Sequence, residues 1–230
     1  MRALEITTYI SCPNNCWYCP QGKLIERYEG KSQMTMSDLD QILQNTPKDV
    51  RIDFTGFSEV FCHPEGAKMI LLAYSRGFNV VVYTTLVGFK AEDVNILRGV
   101  KFSEVVFHRY PGYDEHKFAA SKSLFVLNIQ KGRDAVIDDS NIWSRAGNAF
   151  DSENKMGPLH CLFAGKDYDH NVVLPNGDVY LCCQDYSLEQ RLGNLYTQNF
   201  NDLDREKIRL LSYTDEILYI CRNCELAQHD

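Results

Sequence analysis

Three cysteines, Cys12, Cys16 and Cys19, stand close together near the N-terminus, in the segment CPNNCWYC. A structural zinc site needs four ligands and a disulfide needs two, so three thiols complete neither. Three thiolates do suit a [4Fe–4S] cluster whose fourth iron is open to a ligand from outside the protein. From these residues alone, such a cluster and a zinc site completed by a distant Cys or His are equally good interpretations.

Length and charge limit the class of protein. With 230 residues, the chain is long enough for one main domain and a small appendage. Its 24 Lys and Arg against 31 Asp and Glu give a net charge of −7, which argues against a nucleic-acid or anionic-lipid partner. The N-terminus MRALEITTYI is not a signal peptide, and no apolar run approaches the roughly 20 residues that span a bilayer. We therefore expect a soluble, cytoplasmic protein without a membrane partner.

Four further cysteines form a second group toward the C-terminus. Cytosolic proteins keep their thiols reduced, so nine cysteines in one such chain favour metal binding over disulfides. The grouping predicts two separate metal sites, with Cys62 and Cys183 left over. The second group consists of Cys161, Cys182, Cys221 and Cys224.

Strand-like and helix-like segments alternate between the two cysteine groups. Helices are predicted over 35–47, 63–77, 90–99 and Asp114–Ser121. Such alternation indicates a parallel sheet with right-handed crossovers, and the strands are too few for a closed eight-stranded barrel. We therefore predict an α/β fold with an open, partial barrel. The predicted strands are Ala3–Ile10, Val50–Thr55, Phe78–Thr84, Glu104–His108 and Leu124–Ile129, with a possible sixth near Ala135–Asp138.

The pattern changes after about residue 140. The segment NVVLPNGDVYLCC predicts a β-hairpin with Asn176 and Gly177 at its turn, and NDLDREKIRLLSY predicts a helix. So short a segment buries little core without a staple. We therefore divide the chain into a barrel core, residues 1–145, and a small metal-stapled domain, residues 146–230.

The position of the first cysteine group favours a cluster. It follows the first strand, at the edge of the sheet where α/β folds place their active sites. The spacing in CPNNCWYC resembles the cluster motif of the radical S-adenosylmethionine superfamily. The resemblance implies a partial (βα)6 TIM-like barrel and a [4Fe–4S] cluster whose open iron binds S-adenosylmethionine. It also implies one-electron cleavage to a 5′-deoxyadenosyl radical, with a flavodoxin- or ferredoxin-type electron donor.

The same resemblance assigns further residues to the cofactor. In FTGFSEV, Glu59 matches the acid that holds the methionyl ammonium, whereas Phe57 and Ser58 depart from the glycines of the family. Tyr18 matches the aromatic residue near adenine, or packs the loop. Thr84, at the end of the third strand, is similar to polar residues that the family places near the cofactor.

Two basic residues, His108 and Arg145, lie at or beyond the ends of later strands. Alternation along the fourth strand predicts that His108 points into the cleft toward cofactor or substrate and that Arg109 is solvated. The segment SRAGN resembles a short Arg-containing segment that relatives carry near cofactor and substrate. Arg145 is accordingly a candidate clamp for a carboxylate or hydroxyl, with a surface salt bridge as the alternative.

The C-terminal group resembles a twitch domain, a shortened relative of the SPASM domain. The hairpin NGDVYLC, the pair Gly193–Asn194 and the final CRNC match in order. The resemblance makes Cys182, not Cys183, the hairpin ligand of a second, auxiliary [4Fe–4S] cluster. On the residues alone, a zinc staple held by four cysteines is the rival interpretation. Four thiolates would saturate this cluster, so it would exchange electrons or hold structure.

These expectations predict a radical oxidoreductase-type enzyme. The auxiliary cluster would accept an electron in the net oxidation of a small molecule, and Asp185 and Arg145 are candidates for a catalytic role. A peptide-modifying enzyme is the alternative. One observation argues against it: the first strand begins so early that we expect no leader-recognition domain before it. A zinc-stapled binding module without turnover is a third interpretation.

Overall fold

The structure is a computed structural model that describes residues 2–14, 16–109, 114–138, 140, 142–162, 169–212 and 219–229. No helix in these ranges is long and apolar enough to cross a membrane. The strands are β1 (Arg2–Ile6), β2 (Arg51–Phe54), β3 (Val80–Thr84), β4 (Glu104–Arg109), β5 (Arg133–Val136), β6 (His160–Cys161), β7 (Asp169–Val173), β8 (Asp178–Tyr180), β9 (Arg191–Asn194) and β10 (Ala227–Gln228). The helices are α1 (Gln21–Arg27), α2 (Met36–Gln44), α3 (Gly66–Ser75), α4 (Ala91–Leu97), α5 (Glu115–Asn128), α6 (Phe200–Ser212) and α7 (Tyr219–Arg222), with a short 3-10 helix over Val60–Cys62.

One sheet joins the two parts of the chain. Its strand order is β5-β4-β3-β2-β1-β7-β8-β9, and β1 to β5 pair in parallel. Strand β7 adds on the other side of β1, also in parallel, with Ala3 paired to both Arg51 and His170. The predicted α/β fold, a partial parallel barrel with a C-terminal hairpin, is confirmed. The sixth parallel strand is β7, which extends the sheet beyond β1 rather than beyond β5.

One predicted strand is wrong. Residues Leu124–Ile129 fall in helix α5 and its C-cap, which leaves β5 as the fifth strand, close to where we expected a sixth. A short apolar run fits a buried strand and a helix equally well, so periodicity alone did not decide. Within α5, Phe118 and Phe125 are seven residues apart and buried on the core side, whereas Leu127 is 83% exposed.

The strands of the sheet alternate between an apolar and a polar face. Leu4 and Phe54 are buried in the apolar core that includes residues of α2, α3 and α5. Glu5, Asp53 and His170 occupy the alternate positions, and Glu5 is directly paired with Asp53. Because successive side chains of a strand point to opposite faces, these charged groups share the inner face of the partial barrel.

The helix starting at Met36 is fixed by its cap. The Thr35 hydroxyl accepts a hydrogen bond from the Asp38 backbone N–H at 3.2 Å, and the Asp38 carboxylate accepts one from the Thr35 N–H at 2.7 Å. This reciprocal pair is a capping box, which makes Thr35 the N-cap of α2. The helix then buries Leu39 and Ile42 against the sheet.

The C-terminal hairpin and helix are confirmed. Gly177 lies at the turn between β7 and β8 with φ +82°, where a Cβ would meet the Tyr196 ring at 2.8 Å. Helix α6 buries Phe200 completely, and its Lys207 ammonium donates to Asn171 Oδ1 at 2.8 Å. The last residue of the predicted helix, Tyr213, lies outside the described residues.

Replacement of Phe125 tests the core assignment of α5. The ring is fully buried and lies 5.3 to 5.6 Å from the rings of Phe89 and Phe107. Phe125→Ala should lower the free energy of unfolding by about 3–5 kcal/mol, measured by urea denaturation. Leu127→Ala, on the exposed side of the same helix, should change it by less than about 0.5 kcal/mol. Equal effects of the two variants would contradict the helix assignment.

Candidate functional site

The loop after β1 brings the first three cysteines together. The Cys19 N–H donates to the Cys16 carbonyl at 3.0 Å, which closes a tight turn. Burial raises the pKa of Cys12 to about 12, with the nearby Glu59, Cys16 and Cys19 contributing in the same direction. Grouped thiols in a partly buried loop are the donor set that an iron–sulfur cluster requires, because bound iron replaces their protons.

Glu59 lies beside this loop, and four donors hold its carboxylate. Oε1 accepts from the Thr84 hydroxyl at 2.8 Å and from the Phe61 N–H at 3.3 Å. Oε2 accepts from the N–H and the hydroxyl of Thr85, at 2.7 and 2.8 Å. Burial raises the pKa of Glu59, while these hydrogen bonds oppose the shift. The structure thus links two residues predicted at the cofactor, Glu59 and Thr84.

Sequence reasoning missed the contact between the cysteine loop and this acid. The Asn14 amide donates to the Thr85 hydroxyl oxygen at 2.8 Å, and the same hydroxyl donates to Glu59. The loop is thereby fastened to the carboxyl ends of β2 and β3. Nothing local in the sequence pairs Asn14 with a residue 71 positions away.

Tyr18 is nearly buried between two of the cysteines. It is 9% exposed, and burial together with Cys16 and Cys19 raises its pKa above the usual range. Neighbouring Trp17 stands edge-on to it at 5.8 Å and is 61% exposed. The ring of Tyr18 therefore belongs to the inner side of the loop and packs it, and its place beside adenine stays a prediction.

The four C-terminal cysteines meet around one cavity. Burial raises the pKa of Cys221 to about 12, with Cys224 and Cys161 contributing. Burial also raises the pKa of Cys182, with Cys183, Cys221 and Cys224 contributing. All four, with the leftover Cys183, line a cavity of about 500 Å³. In the described ranges, no three Cys, His, Asp or Glu side chains are arranged around a single metal-ion position. The donor set, four thiols in a largely apolar wall, fits an iron–sulfur cluster.

The same cavity has a polar wall formed by the inner face of the sheet. His108 lies on this wall, as predicted, 5.8 Å from the ring of Tyr83. Burial, together with the charges of Arg145 and Arg133, lowers the pKa of His108 to about 4. The imidazole is therefore neutral at pH 7. Arg109, predicted to be solvated, forms an ion pair with Glu115 outside the cavity.

A buried charge network, not anticipated from the sequence, forms part of this wall, where Glu5 and His170 line the cavity. His170 Nδ1 is 2.6 Å from Glu5 Oε1 and 3.8 Å from Asp53 Oδ2. Arg51 donates twice to Asp53, each time at 2.7 Å. Burial lowers the pKa of His170, but the hydrogen bond and the charges of Glu5 and Asp53 raise it overall. Charged residues at alternate positions of otherwise apolar strands were the available signal.

Arg145 lines the cavity, and its role as a clamp stays a prediction. Its backbone is left-handed, with φ +55°, and Ala146 and Gly147 follow at +53° and +76°. The Asn148 amide stabilises this turn by donating to the Arg145 and Gln184 carbonyls at 2.8 and 3.0 Å. An uncommon conformation held by such contacts at a cavity is typical of functional sites.

Asp185 is not placed as a catalytic group. Its carboxylate accepts hydrogen bonds from the backbone N–H groups of Glu189 and Gln190 at 2.9 and 2.8 Å, and it is fully buried. Asp185 is also absent from the cavity lining. Its contacts are those of a residue that closes the loop between β8 and β9.

Comparison with known proteins agrees with this geometry. Residues 161–225 match the SPASM family, an iron–sulfur cluster-binding domain. The fold is similar to BtrN in complex with AdoMet (S-adenosylmethionine) and 2-DOIA, with a TM-score of 0.74, 16% identity and coverage of 98% of this chain and 93% of that chain. The fold is also similar to anSMEcpe with bound AdoMet, with a TM-score of 0.62, 13% identity and coverage of 97% of this chain and 83% of that chain. For Streptococcus suis SuiB bound to precursor peptide SuiA, the TM-score is 0.52 and the identity 12%, with coverage of 97% of this chain and 69% of that chain.

One curated relative matches this chain over part of its own length. The chain is 22% identical over 203 residues to the BTB/POZ domain-containing protein L788 of Acanthamoeba polyphaga mimivirus. The match includes 79% of this chain but 40% of that protein, so the chain spans about two fifths of this relative's length.

Thr85 variants test the hydrogen-bond network of Glu59. Thr85→Val removes a donor from a buried carboxylate and should lower the free energy of unfolding by about 1–3 kcal/mol, measured by urea denaturation at pH 7. Thr85→Ser keeps the hydroxyl and should be close to wild type. If the valine and serine variants are equally stable, the hydroxyl contributes nothing to holding Glu59.

The raised pKa of His170 predicts a pH-dependent stability. The contribution of protonated His170, which faces Glu5, Asp53 and Arg51, is complete below the unfolded pKa of about 6.5 and is lost as pH rises through the higher folded pKa. His170→Gln should therefore destabilise the protein more at pH 6 than at pH 9, measured by urea denaturation. A difference that grows with pH would contradict the assigned direction.

Proposed function

From this architecture, the fold of radical S-adenosylmethionine enzymes joined to a SPASM iron–sulfur domain, we propose an enzyme that cleaves S-adenosylmethionine reductively and abstracts a hydrogen atom from a small molecule in a net oxidation. One observation carries the proposal. A single cavity has the four C-terminal cysteines on one wall and the polar inner face of the sheet on the other. Substrate bound there would lie within reach of both halves of the chain.

The N-terminal half supplies the cofactor site in this proposal. Cys12, Cys16 and Cys19 hold a [4Fe–4S] cluster with one open iron. Glu59, already positioned by Thr84, offers its carboxylate to the methionyl ammonium. Tyr18 packs beside adenine. Cleavage of bound S-adenosylmethionine by one electron supplies the radical that abstracts hydrogen.

The C-terminal half supplies the auxiliary site. Cys161, Cys182, Cys221 and Cys224 would saturate a second [4Fe–4S] cluster, which could then exchange electrons or hold structure. In this proposal it exchanges electrons. A substrate radical that becomes a two-electron-oxidised product must lose one more electron and a proton. The position of these four cysteines on the cavity wall supports transfer of that electron to the auxiliary cluster.

The polar wall indicates the substrate class. Glu5, His108 and Arg145 present a carboxylate, a neutral imidazole and a guanidinium to one cavity of about 500 Å³. We infer a small molecule, because the auxiliary cluster would occupy part of this volume. The three polar groups on the wall favour a molecule with several hydroxyl or amino groups. Arg145 is placed to hold an oxygen atom of the substrate. A peptide, of the kind bound to SuiB, is the alternative substrate.

The environment that we infer is a reducing one. In the part of the chain that the structure describes, the nine cysteines form no disulfide, which suits the cytoplasm. Trp17 is exposed beside the cysteine loop, and a flavodoxin- or ferredoxin-type donor would approach there.

Anaerobic reconstitution tests the proposal as a whole. Wild type should be brown, bind about eight irons and, on reduction with S-adenosylmethionine, release 5′-deoxyadenosine. Cys16→Ala should bind about four irons and release none, because it lacks the open cluster. A colourless, zinc-containing wild type, or equal 5′-deoxyadenosine from both proteins, would refute the enzyme.

The auxiliary site has its own test. Cys224→Ala should lose about four irons yet still release 5′-deoxyadenosine, since the N-terminal cluster is intact. Cys182→Ala should behave in the same way, whereas the adjacent Cys183→Ala should keep about eight irons as the matched control. Iron loss from the Cys183 variant alone would exchange the roles of these two residues.

A further inference from the structure

The hydroxyl of Tyr186 lies 3.8 Å from the Cys19 sulfur, so the C-terminal domain reaches the N-terminal cysteine loop directly. We propose that Tyr186 donates a hydrogen bond to the Cys19 thiolate of the N-terminal cluster and raises the reduction potential of that cluster. The inference rests on the proposed function in assigning Cys19 to a cluster. It adds a tuning residue supplied by the loop that follows the auxiliary-site Cys182.

The loop that carries Tyr186 is rigidly held. The Tyr186 N–H donates to the Gln184 carbonyl at 3.0 Å, and the Gln184 carbonyl also accepts from the Asn148 amide. On the other side, Asp185 accepts from the N–H groups of Glu189 and Gln190. Tyr186 therefore lies in a loop whose backbone is held by hydrogen bonds on both sides of it.

The ring of Tyr186 is fixed as well. It is 6% exposed, and its centroid lies 4.3 Å from that of Phe57. Phe57 is itself anchored, because its N–H donates to the Thr7 hydroxyl at 3.1 Å. This packing gives a reason for the aromatic residue at the position where the family carries glycine. The Tyr186 hydroxyl can hardly leave Cys19 without opening this contact.

The chemistry of the pair sets the direction of the hydrogen bond. A free Cys19 thiol can donate to the tyrosine oxygen, but an iron-bound thiolate has no proton and can only accept. A tyrosine hydroxyl carries a proton that it can donate. Hydrogen bonds to cluster sulfurs stabilise the reduced state, which has one more negative charge, and so raise the potential.

Gln21 strengthens this assignment. Its Oε1 lies 3.9 Å from the same Cys19 sulfur, while its buried Nε2 has no hydrogen-bond partner in the described ranges. Rotation of the amide group by 180° exchanges its oxygen and its nitrogen, so the donor can face the sulfur instead. That rotation satisfies the orphaned nitrogen only if Cys19 is an acceptor, as a thiolate is.

The test is a potentiometric titration of reconstituted holoprotein, followed by electron paramagnetic resonance. The signal that changes on addition of S-adenosylmethionine identifies the N-terminal cluster. Tyr186→Phe removes the hydroxyl and keeps the ring, so the midpoint of this signal should shift to a more negative potential. Tyr180→Phe is the matched control, because Tyr180 is equally buried in the same apolar cluster, and its midpoint should equal that of wild type.

Three outcomes decide between the interpretations. An unshifted midpoint in Tyr186→Phe at full iron content, or an equal shift in Tyr180→Phe, overturns the inference. If Tyr186→Phe loses iron, the wild-type cluster should still show an exchangeable proton in electron–nuclear double resonance, and its absence overturns the inference. A wild type without any signal that responds to S-adenosylmethionine refutes the proposed function instead.

Discussion

Strand β1 is the constraint on which the rest of the structure depends. It is hydrogen-bonded on both sides in parallel, to β2 through Ala3 to Ile6 and to β7 through Arg2 to Ile6. The Thr7 N–H extends this pairing by donating to the Val173 carbonyl at 3.0 Å. Because the cysteine loop leaves the carboxyl end of this strand, its starting point is fixed by both halves of the chain at once.

The two faces of the sheet explain how a cavity can persist at its centre. The outer positions are apolar and pack under the helices, with Leu4 and Phe54 fully buried. On the inner face, Glu5, Asp53 and His170 are buried too, but each is paired within one network. A buried charge without a partner is costly and would be neutralised, whereas charges that are paired with each other can line an open volume.

Local signals made much of this predictable, and long-range contacts made the rest unpredictable. The cysteine spacing, the Thr35 cap and the Gly177 turn act within a few residues, and the structure contains the predicted helix and hairpin at the latter two. The strand predicted over Leu124–Ile129 was wrong, because a short apolar run fits a strand and a helix equally well. The contacts of Cys19 with Tyr186 and of Asn14 with Thr85 join residues 167 and 71 positions apart, which no periodicity encodes.

The pairing of β1 with β7 also bears on the proposed division of the chain at residues 145 and 146. That division separates the sequence into two kinds of pattern, but it passes through one sheet, since β7 lies beyond it and β1 before it. Without β7, β1 would be an edge strand with unpaired backbone groups, and Glu5 would lose His170. The N-terminal cysteine loop would also lose Tyr186. The N-terminal half therefore depends on the C-terminal half for its own geometry, so the C-terminal domain acts as part of the barrel wall as well as a site for cysteine ligands.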